Sequence, residues 1–275
     1  MKINLEPTGE RVIEDAYQSS LPAYTIYAMH AACYRFVEDL CAGKRVLDLG
    51  CGSGYGSHRI AGVAREVQGV DIAADAVAYA RQKFHHPNLN FQQIITGQPV
   101  PFADGYFDVV LSFQVIEHVH DDNGYLLEAK RLLRPGGTLV VITPDRQLRL
   151  LPGQKPWNRW HLREYSMQQL LRRLQPHFKI SQALRMGAPW PVAATEIRRY
   201  RLTKWLTLPA TLPFIPDAMR VAALNLVHWL ADRAKPKASR AESTGAIDYG
   251  FGEQDFVISA NPPNPMNLIL VAQRP

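Results

Sequence analysis

The sequence predicts an α/β domain built on a parallel sheet with helices packed against it, and three observations predict it. Val46, Leu47 and Leu49 form a short apolar run, as suits a strand buried on both faces. The glycine-rich turn Gly50-Cys51-Gly52-Ser53-Gly54-Tyr55-Gly56 follows at once, and apolar residues at helical spacing come next, at Ile60, Ala61 and Ala64. Glycine has no Cβ, so such a turn can take positive φ and let a ligand approach the backbone. Strand, glycine turn and helix make the first unit of a doubly wound domain, which binds nucleotides outside the carboxyl ends of its strands.

The remaining elements follow in order. Leu21 to Cys41 reads as a helix, with apolar Ala28, Ala31, Ala32, Phe36, Val37 and Leu40. A second strand, Glu66 to Asp71, ends on an acid 21 positions after Gly50, and a helix from Ala73 to Phe84 follows it. Leu89 to Gln93 and Phe107 to Phe113 read as the third and fourth strands. Asp121 or Asp122 can cap the next helix, which runs through Leu126, Leu127, Lys130 and Leu133. Arg134-Pro135-Gly136-Gly137 ends that helix, and Thr138 to Thr143 is the fifth strand. Ser166 and Gln169 form a capping box for a helix to about Leu174. Phe256 to Ser259 and Asn267 to Ala272 read as closing strands.

The chain has 275 residues, enough for one large domain or a domain with an insertion. Hydrophobic residues make up 47% and charged residues 20%, an ordinary globular balance. Cys33, Cys41 and Cys51 show no C-x-x-C or metal spacing. An odd count without a secretory leader points to reduced thiols and a cytoplasmic location. No apolar run reaches the roughly 18 residues of a spanning helix. Residues 185–240 stand apart, with ten Lys or Arg against three acids, and Trp205 to Pro216 is twelve residues without a charge. A basic, apolar insertion suits a lid, a dimer surface or contact with a lipid or phosphate-bearing substrate. Lys235 to Thr244 reads as a polar loop.

The glycine spacing decides between cofactors. A dinucleotide fingerprint is G-x-G-x-x-G. Counting from Gly50, the third glycine falls on Tyr55; counting from Gly52, it falls on Ser57. The actual pattern, D-x-G-x-G-x-G from Asp48, resembles motif I of the class I S-adenosylmethionine-dependent methyltransferases. Three further segments resemble that family in the same order: the strand-ending Asp71, Val100-Pro101-Phe102-Ala103-Asp104-Gly105-Tyr106-Phe107-Asp108, and the Pro-Gly-Gly turn at Pro135. Thr8-Gly9-Glu10-Arg11, Tyr34-Arg35-Phe36 and His161-Leu162-Arg163-Glu164-Tyr165-Ser166 resemble a methyltransferase type 11-like bacterial subgroup.

The resemblance implies a Rossmann-like fold with a seven-stranded, mostly parallel sheet flanked by helices and carrying a helical insertion. Residues 1–43 would be an N-terminal helical lid, with Tyr34 and His30 its better candidates. Residues 44–184 and 245–275 would form the cofactor-binding core, and 185–244 the insertion. S-adenosylmethionine would meet Tyr34, Asp48, Gly50, Cys51, Gly52, Gly54, Asp71, Ile72, Thr96, Gly97, Phe113, Gln114 and His118. Asp71 would accept the ribose hydroxyls and Ile72 would pack on adenine. Thr96 stands where relatives often carry an Asp. Some relatives with E-x-x-E-H hold a divalent ion, but Gln114 replaces the first Glu here. An amide is a poor ligand for a hard cation, so no metal is expected. His118 and His161 are candidate bases. The expected acceptor is a small molecule, a glycan or a lipid-like compound, with membrane-surface contact and a homodimer both compatible. Nucleic acid is not the expected partner, because no N-P-P-Y-like element follows the fourth strand. RNA or protein methylation and a non-catalytic cofactor-binding partner protein are the alternatives.

Overall fold

A computed structural model describes residues 20–234 and 247–275. The expectations on Thr8 to Arg11 and on the whole Lys235 to Thr244 loop lie outside the described residues. Helix α1 (Leu21–Cys41) precedes β1 (Arg45–Leu49), α2 (Tyr55–Ala61), β2 (Glu66–Asp71), α3 (Ala74–Lys83), β3 (Leu89–Gln93) and β4 (Phe107–Phe113). A 3-10 turn (Ile116–His118) leads to α4 (Asp122–Leu132), β5 (Leu133–Pro144), α5 (Arg146–Arg149), α6 (Met167–Leu174) and β6 (Lys179–Gly187). Then come α7 (Trp190–Leu206), α8 (Asp217–Ala234), β7 (Val257–Ser259) and β8 (Pro265–Gln273).

The sheet order is β3-β2-β1-β4-β5-β8-β6-β7. Strands β1 to β5 pair in parallel, and β8 runs antiparallel between β5 and β6. The sheet therefore has eight strands where seven were expected. The extra strand is β6, and the short β7, expected at Phe256 to Ser259, pairs with its last residues, Arg185, Met186 and Gly187. β6 also runs past position 184, where the insertion was expected to begin. Its Ile180, Leu184 and Met186 alternate with polar residues, a weak strand signal that the basic residues around it obscure. β5 starts at Leu133 rather than Thr138, and a register shift between Phe107 and Val109 absorbs the Pro-Gly-Gly turn.

The period of two along each strand divides the core. Val46, Val109, Leu111, Val140 and Ile269 face one layer, with Ala28, Cys33 and Val37 of α1, Ile60 of α2, and Val192, Ala193 and Ile197 of α7. Leu47, Val110, Leu139, Leu268 and Leu270 face the other, with Leu126 and Leu132 of α4 and Leu170 and Leu174 of α6. Asp121 caps α4 by accepting the Gly124 N–H at 2.9 Å. The expected capping box opens α6, with Ser166 and Gln169 bonded reciprocally. Among the described residues no helix is long and apolar enough to cross a membrane.

The strand order reverses between β1 and β4, which places the crevice over the loops that follow them. Tyr34 of α1 braces this crevice from below. A Cβ on Gly56 would lie 1.9 Å from the Tyr34 ring, so only glycine lets that ring cross the start of α2. Gly56→Ala is expected to destabilise the protein by about 1–3 kcal/mol, despite alanine's better helix propensity. Urea denaturation of the variant checks this; an unchanged or higher midpoint would show that the Tyr34 ring can move aside without cost.

Candidate active site

The turn after β1 is built by left-handed glycines, with φ of 96° at Gly50, 54° at Gly52 and 86° at Gly54. The N–H groups of Gly50 and Cys51 both donate to the Val70 carbonyl, at 2.8 and 3.0 Å, which ties the turn to β2. A Cβ on Gly50 would lie 2.4 Å from Val115, so the turn sits tightly against the loop after β4. The Cys51 side chain packs with Val77, Ala80 and Phe91, and burial pushes its thiol well above the ordinary range. Its side chain is therefore part of the packing under α3.

Asp48 is 1% exposed at the end of β1. Its Oδ2 accepts from Ser57 Oγ at 2.6 Å and from the Tyr34 hydroxyl at 3.1 Å, while its Oδ1 is buried without a partner. Tyr34, one of the lid candidates in the sequence, is thus a buried brace beneath the turn. Burial raises the Asp48 carboxyl to about 6, and the Ser57 and Tyr34 hydrogen bonds oppose the rise. A carboxyl raised on folding favours the proton-bound folded state. Its contribution to stability is full below the free value of about 3.9 and is lost as the pH rises through the folded value. Asp48→Asn is expected to flatten that part of the stability profile, read by denaturation of both proteins at pH values from about 4 to 7. Identical slopes would show that Asp48 does not titrate in this window.

Asp71 accepts the Gly52 N–H on Oδ2 and the Ala73 N–H on Oδ1, both at 2.9 Å. It joins the glycine turn to the start of α3. Ile72 lies just beyond β2 and is 59% exposed. Ile95, just beyond neighbouring β3, is 61% exposed and was not singled out from the sequence. Its signal was the apolar pair Ile94-Ile95 at a strand end. Thr96 and Gly97 form an exposed turn beside it, with Gly97 at φ 81°.

Beyond Phe113, which is 8% exposed, Gln114 takes φ 57°, a strained value for a residue with a side chain. Its backbone N–H donates to Ile142 and its side-chain Nε2 is buried without a partner. Glu117 is fully buried; its Oε2 accepts from Thr143 at 2.9 Å and its Oε1 has no partner. Burial pushes its carboxyl up, against the pull of His118 and His161. The Glu117 carbonyl accepts the N–H groups of Leu162 and Arg163, which docks the 157–166 segment onto this loop.

That docking brings His118 and His161 together from distant parts of the sequence, their rings 4.8 Å apart and nearly perpendicular. His118 Nδ1 lies 3.1 Å from the Trp160 carbonyl, and His161 Nδ1 lies 2.9 Å from Glu164 Oε1. Both partners only accept, so Nδ1 carries the hydrogen in each ring and Nε2 is the basic nitrogen. Glu164 is buried and also accepts from Arg149 at 3.0 Å. Burial pushes its carboxyl up, but Arg149 and His161 outweigh burial and hold it below the usual range. Glu117, His118 and His161 place one ligand-type atom each within 4.8 Å of one another. The set can pass a proton, and its two imidazoles would suit a transition ion better than a hard magnesium ion.

A cleft opens beside these groups. It is lined by His30 of α1, Gln114, Glu117, Arg149, Trp157 and His161, and by Glu196, Arg199, Tyr200 and Asn267 from α7 and β8. The sequence reading missed Arg149, Glu164, Glu196 and Asn267. Asn267 carried a signal, as a polar residue inside an otherwise apolar closing strand.

Residues 47–141 match the family described as Methyltransferase domain. A probable S-adenosylmethionine-dependent methyltransferase of Mycolicibacterium smegmatis is 36% identical over 61% of this chain and 63% of its own length. A ubiquinone biosynthesis O-methyltransferase of Glaesserella parasuis is 37% identical over 38% of this chain and 47% of its own. The chain thus spans about half to two thirds of the curated relatives it matches. Among solved structures, a putative methyltransferase of Bacillus halodurans covers 88% of this chain and 98% of its own, with a TM-score of 0.53 at 16% identity. That likeness shows the fold alone. Fold, glycine turn and the match over residues 47–141 are all those of a class I methyltransferase domain. S-adenosylmethionine is the cofactor named for the relative in Mycolicibacterium smegmatis, and the residues at the turn fit it: the buried Asp48 Oδ1 lacks a cation or donor, and the Gly52 side of the turn is open.

Proposed function

We propose that the chain transfers a methyl group from S-adenosylmethionine to a hydroxyl of a small-molecule, glycan or lipid-linked acceptor. The observation that supports this most is the junction of two half-sites at the ends of β1 and β4. On one side stand the glycine turn, Asp48, Asp71 and the exposed Ile72 and Ile95; on the other stands a polar cleft lined by Glu117 and His161, with His118 beside them. The ubiquinone O-methyltransferase relative supports an oxygen acceptor.

Asp48 Oδ1 would take the amino-acid end of the cofactor, Asp71 the ribose, and Ile72 with Ile95 the faces of adenine. The cofactor supplies a methyl group already activated on a sulfonium, so the protein's part is alignment and exclusion of water. An acceptor hydroxyl held in the cleft would be aligned on that methyl group, with the sulfide as its leaving group. The hydroxyl proton goes to an imidazole Nε2 of the His118–His161 pair, with Glu117 balancing the charge. Leu202, Trp205, Leu206 and Phe214 of the insertion are each at least 60% exposed beside a surplus of cations. They support a membrane-surface contact for a lipid-linked acceptor.

Calorimetry with S-adenosylhomocysteine and with NAD tests the cofactor assignment. The first is expected to bind and the second to show no heat, and tight NAD binding would overturn the assignment. In turnover assays a chelator is expected to leave the rate unchanged, because Gln114 leaves the cleft one carboxylate short of the E-x-x-E-H set. Loss of activity restored by magnesium would overturn the metal-free reading.

A further inference from the structure

We infer that the acceptor is a neutral, polyhydroxylated molecule of the glycoside kind, recognised through α7 and β8 as well as through the loops of the sheet. This rests on the methyltransferase reading and narrows its acceptor. Four buried side-chain atoms without partners line the one cleft: Gln114 Nε2, Glu117 Oε1, Glu196 Oε1 and Asn267 Nδ2. Glu117, Glu196 and Asn267 are at most 2% exposed. Two of these atoms can only donate and two, as carboxylate oxygens, can only accept.

A buried polar atom left unsatisfied costs about 1–3 kcal/mol, so the occupant of the cleft is selected by what it offers all four. Hydroxyls both donate and accept, so several on one ring satisfy both kinds. An apolar ring or a quinone with a hydrocarbon tail offers nothing to Glu117 and Glu196. An ammonium group answers the carboxylates and leaves the amides orphaned.

Charge excludes an anion on the same grounds. Arg149 is bonded to Glu164, and Arg199 to Glu196. Arg149 also stacks 4.3 Å from the Trp157 ring centre and 4.8 Å from that of Tyr200. Both guanidiniums are thus neutralised in place, and a phosphate or carboxylate would meet one further carboxylate, at Glu117. The surplus of cations elsewhere in residues 185–240 does not reach the cleft as net positive charge. α7 brings Glu196, Arg199 and Tyr200 to the cleft, and the same helix sends Val192, Ala193 and Ile197 into the core. It is a fixed wall of the site, and point variants test it more cleanly than a deletion of residues 197–237, which would open that core.

The test is saturation-transfer NMR on the purified full chain with four probes: the methyl glycosides of a neutral hexose and a deoxyhexose, a hexose phosphate, and a dihydroxybenzoate. Each is run with and without S-adenosylhomocysteine, so the sugar result stands whether or not the cofactor product binds. The neutral glycosides are expected to bind in preference to the phosphate and the phenol. Glu196→Gln and Asn267→Ala are each expected to weaken glycoside binding by about tenfold, with calorimetric affinity for S-adenosylhomocysteine unchanged. Preference for the phosphate or the phenol, no binding of either glycoside, or glycoside binding indifferent to both variants overturns the inference. Failure of S-adenosylhomocysteine to bind with the glycoside result intact overturns the methyltransferase reading instead.

Discussion

His161→Ala lowers the turnover number by about 10²–10⁴-fold, the usual contribution of a positioned acid–base group, and leaves S-adenosylhomocysteine affinity unchanged. The two effects separate because His161 stands on the 157–166 segment, while the residues assigned to the cofactor lie on the turns after β1, β2, β3 and β4. His161 is 3% exposed and its orientation is set by Glu164, which Arg149 holds in turn. A milder variant, Glu164→Gln, keeps the shape of that support and removes its charge. Its expected effect is a smaller loss of turnover with a shifted acid limb of the pH–rate profile. The measurement is steady-state release of S-adenosylhomocysteine over a pH series for wild type and both variants. Unchanged turnover in His161→Ala would assign the proton to His118 or to the acceptor's own chemistry.

Asp71→Ala weakens cofactor binding by tenfold or more, since losing even one charged hydrogen bond of ~1.5 kcal/mol gives that factor. The structure adds a second source of loss. The carboxylate holds the N–H groups of Gly52 and Ala73, so its removal also slackens the turn that the cofactor must meet. Asp71→Asn separates the two, because the amide oxygen can still accept one of those N–H groups. Calorimetry on both variants, with the fold checked by circular dichroism, measures the effect. Unchanged affinity in Asp71→Ala would reduce Asp71 to a strand-end residue with no ligand.

The first half of the chain was legible because each of its elements carries its own local signal. The run at Val46 to Leu49, the glycines that follow, the acid at Asp71 and the segment into β4 can be read without their neighbours in space. The helix from Leu21 to Cys41 and the strand from Phe107 to Phe113 fall on the residues expected for them. β6 was not read, because its few apolar residues are split between the two layers, Ile180 in one and Leu184 and Met186 in the other, with polar residues between them. The cleft was not legible for a different reason. Gln114 and His161 were noticed singly, but Arg149, Glu196 and Asn267 each read alone as an ordinary helix or strand residue, and the set spans more than half the chain. Only the docking of Glu117 onto Leu162 and Arg163, and of α7 onto the sheet, makes them neighbours. Tyr34 shows the converse, a residue correctly noticed whose place was set by the missing Cβ of Gly56 and not by its position in a helix.

Helix α7 does two tasks with different residues. Val192, Ala193 and Ile197 anchor it, and Glu196, Arg199 and Tyr200 face the cleft. Substitutions among the second set leave the anchoring residues and the distant glycine turn untouched. A lineage can therefore drift in what it methylates while its nucleoside half stays intact, and directed evolution toward a new acceptor has a natural starting library at positions 196, 199, 200 and 267.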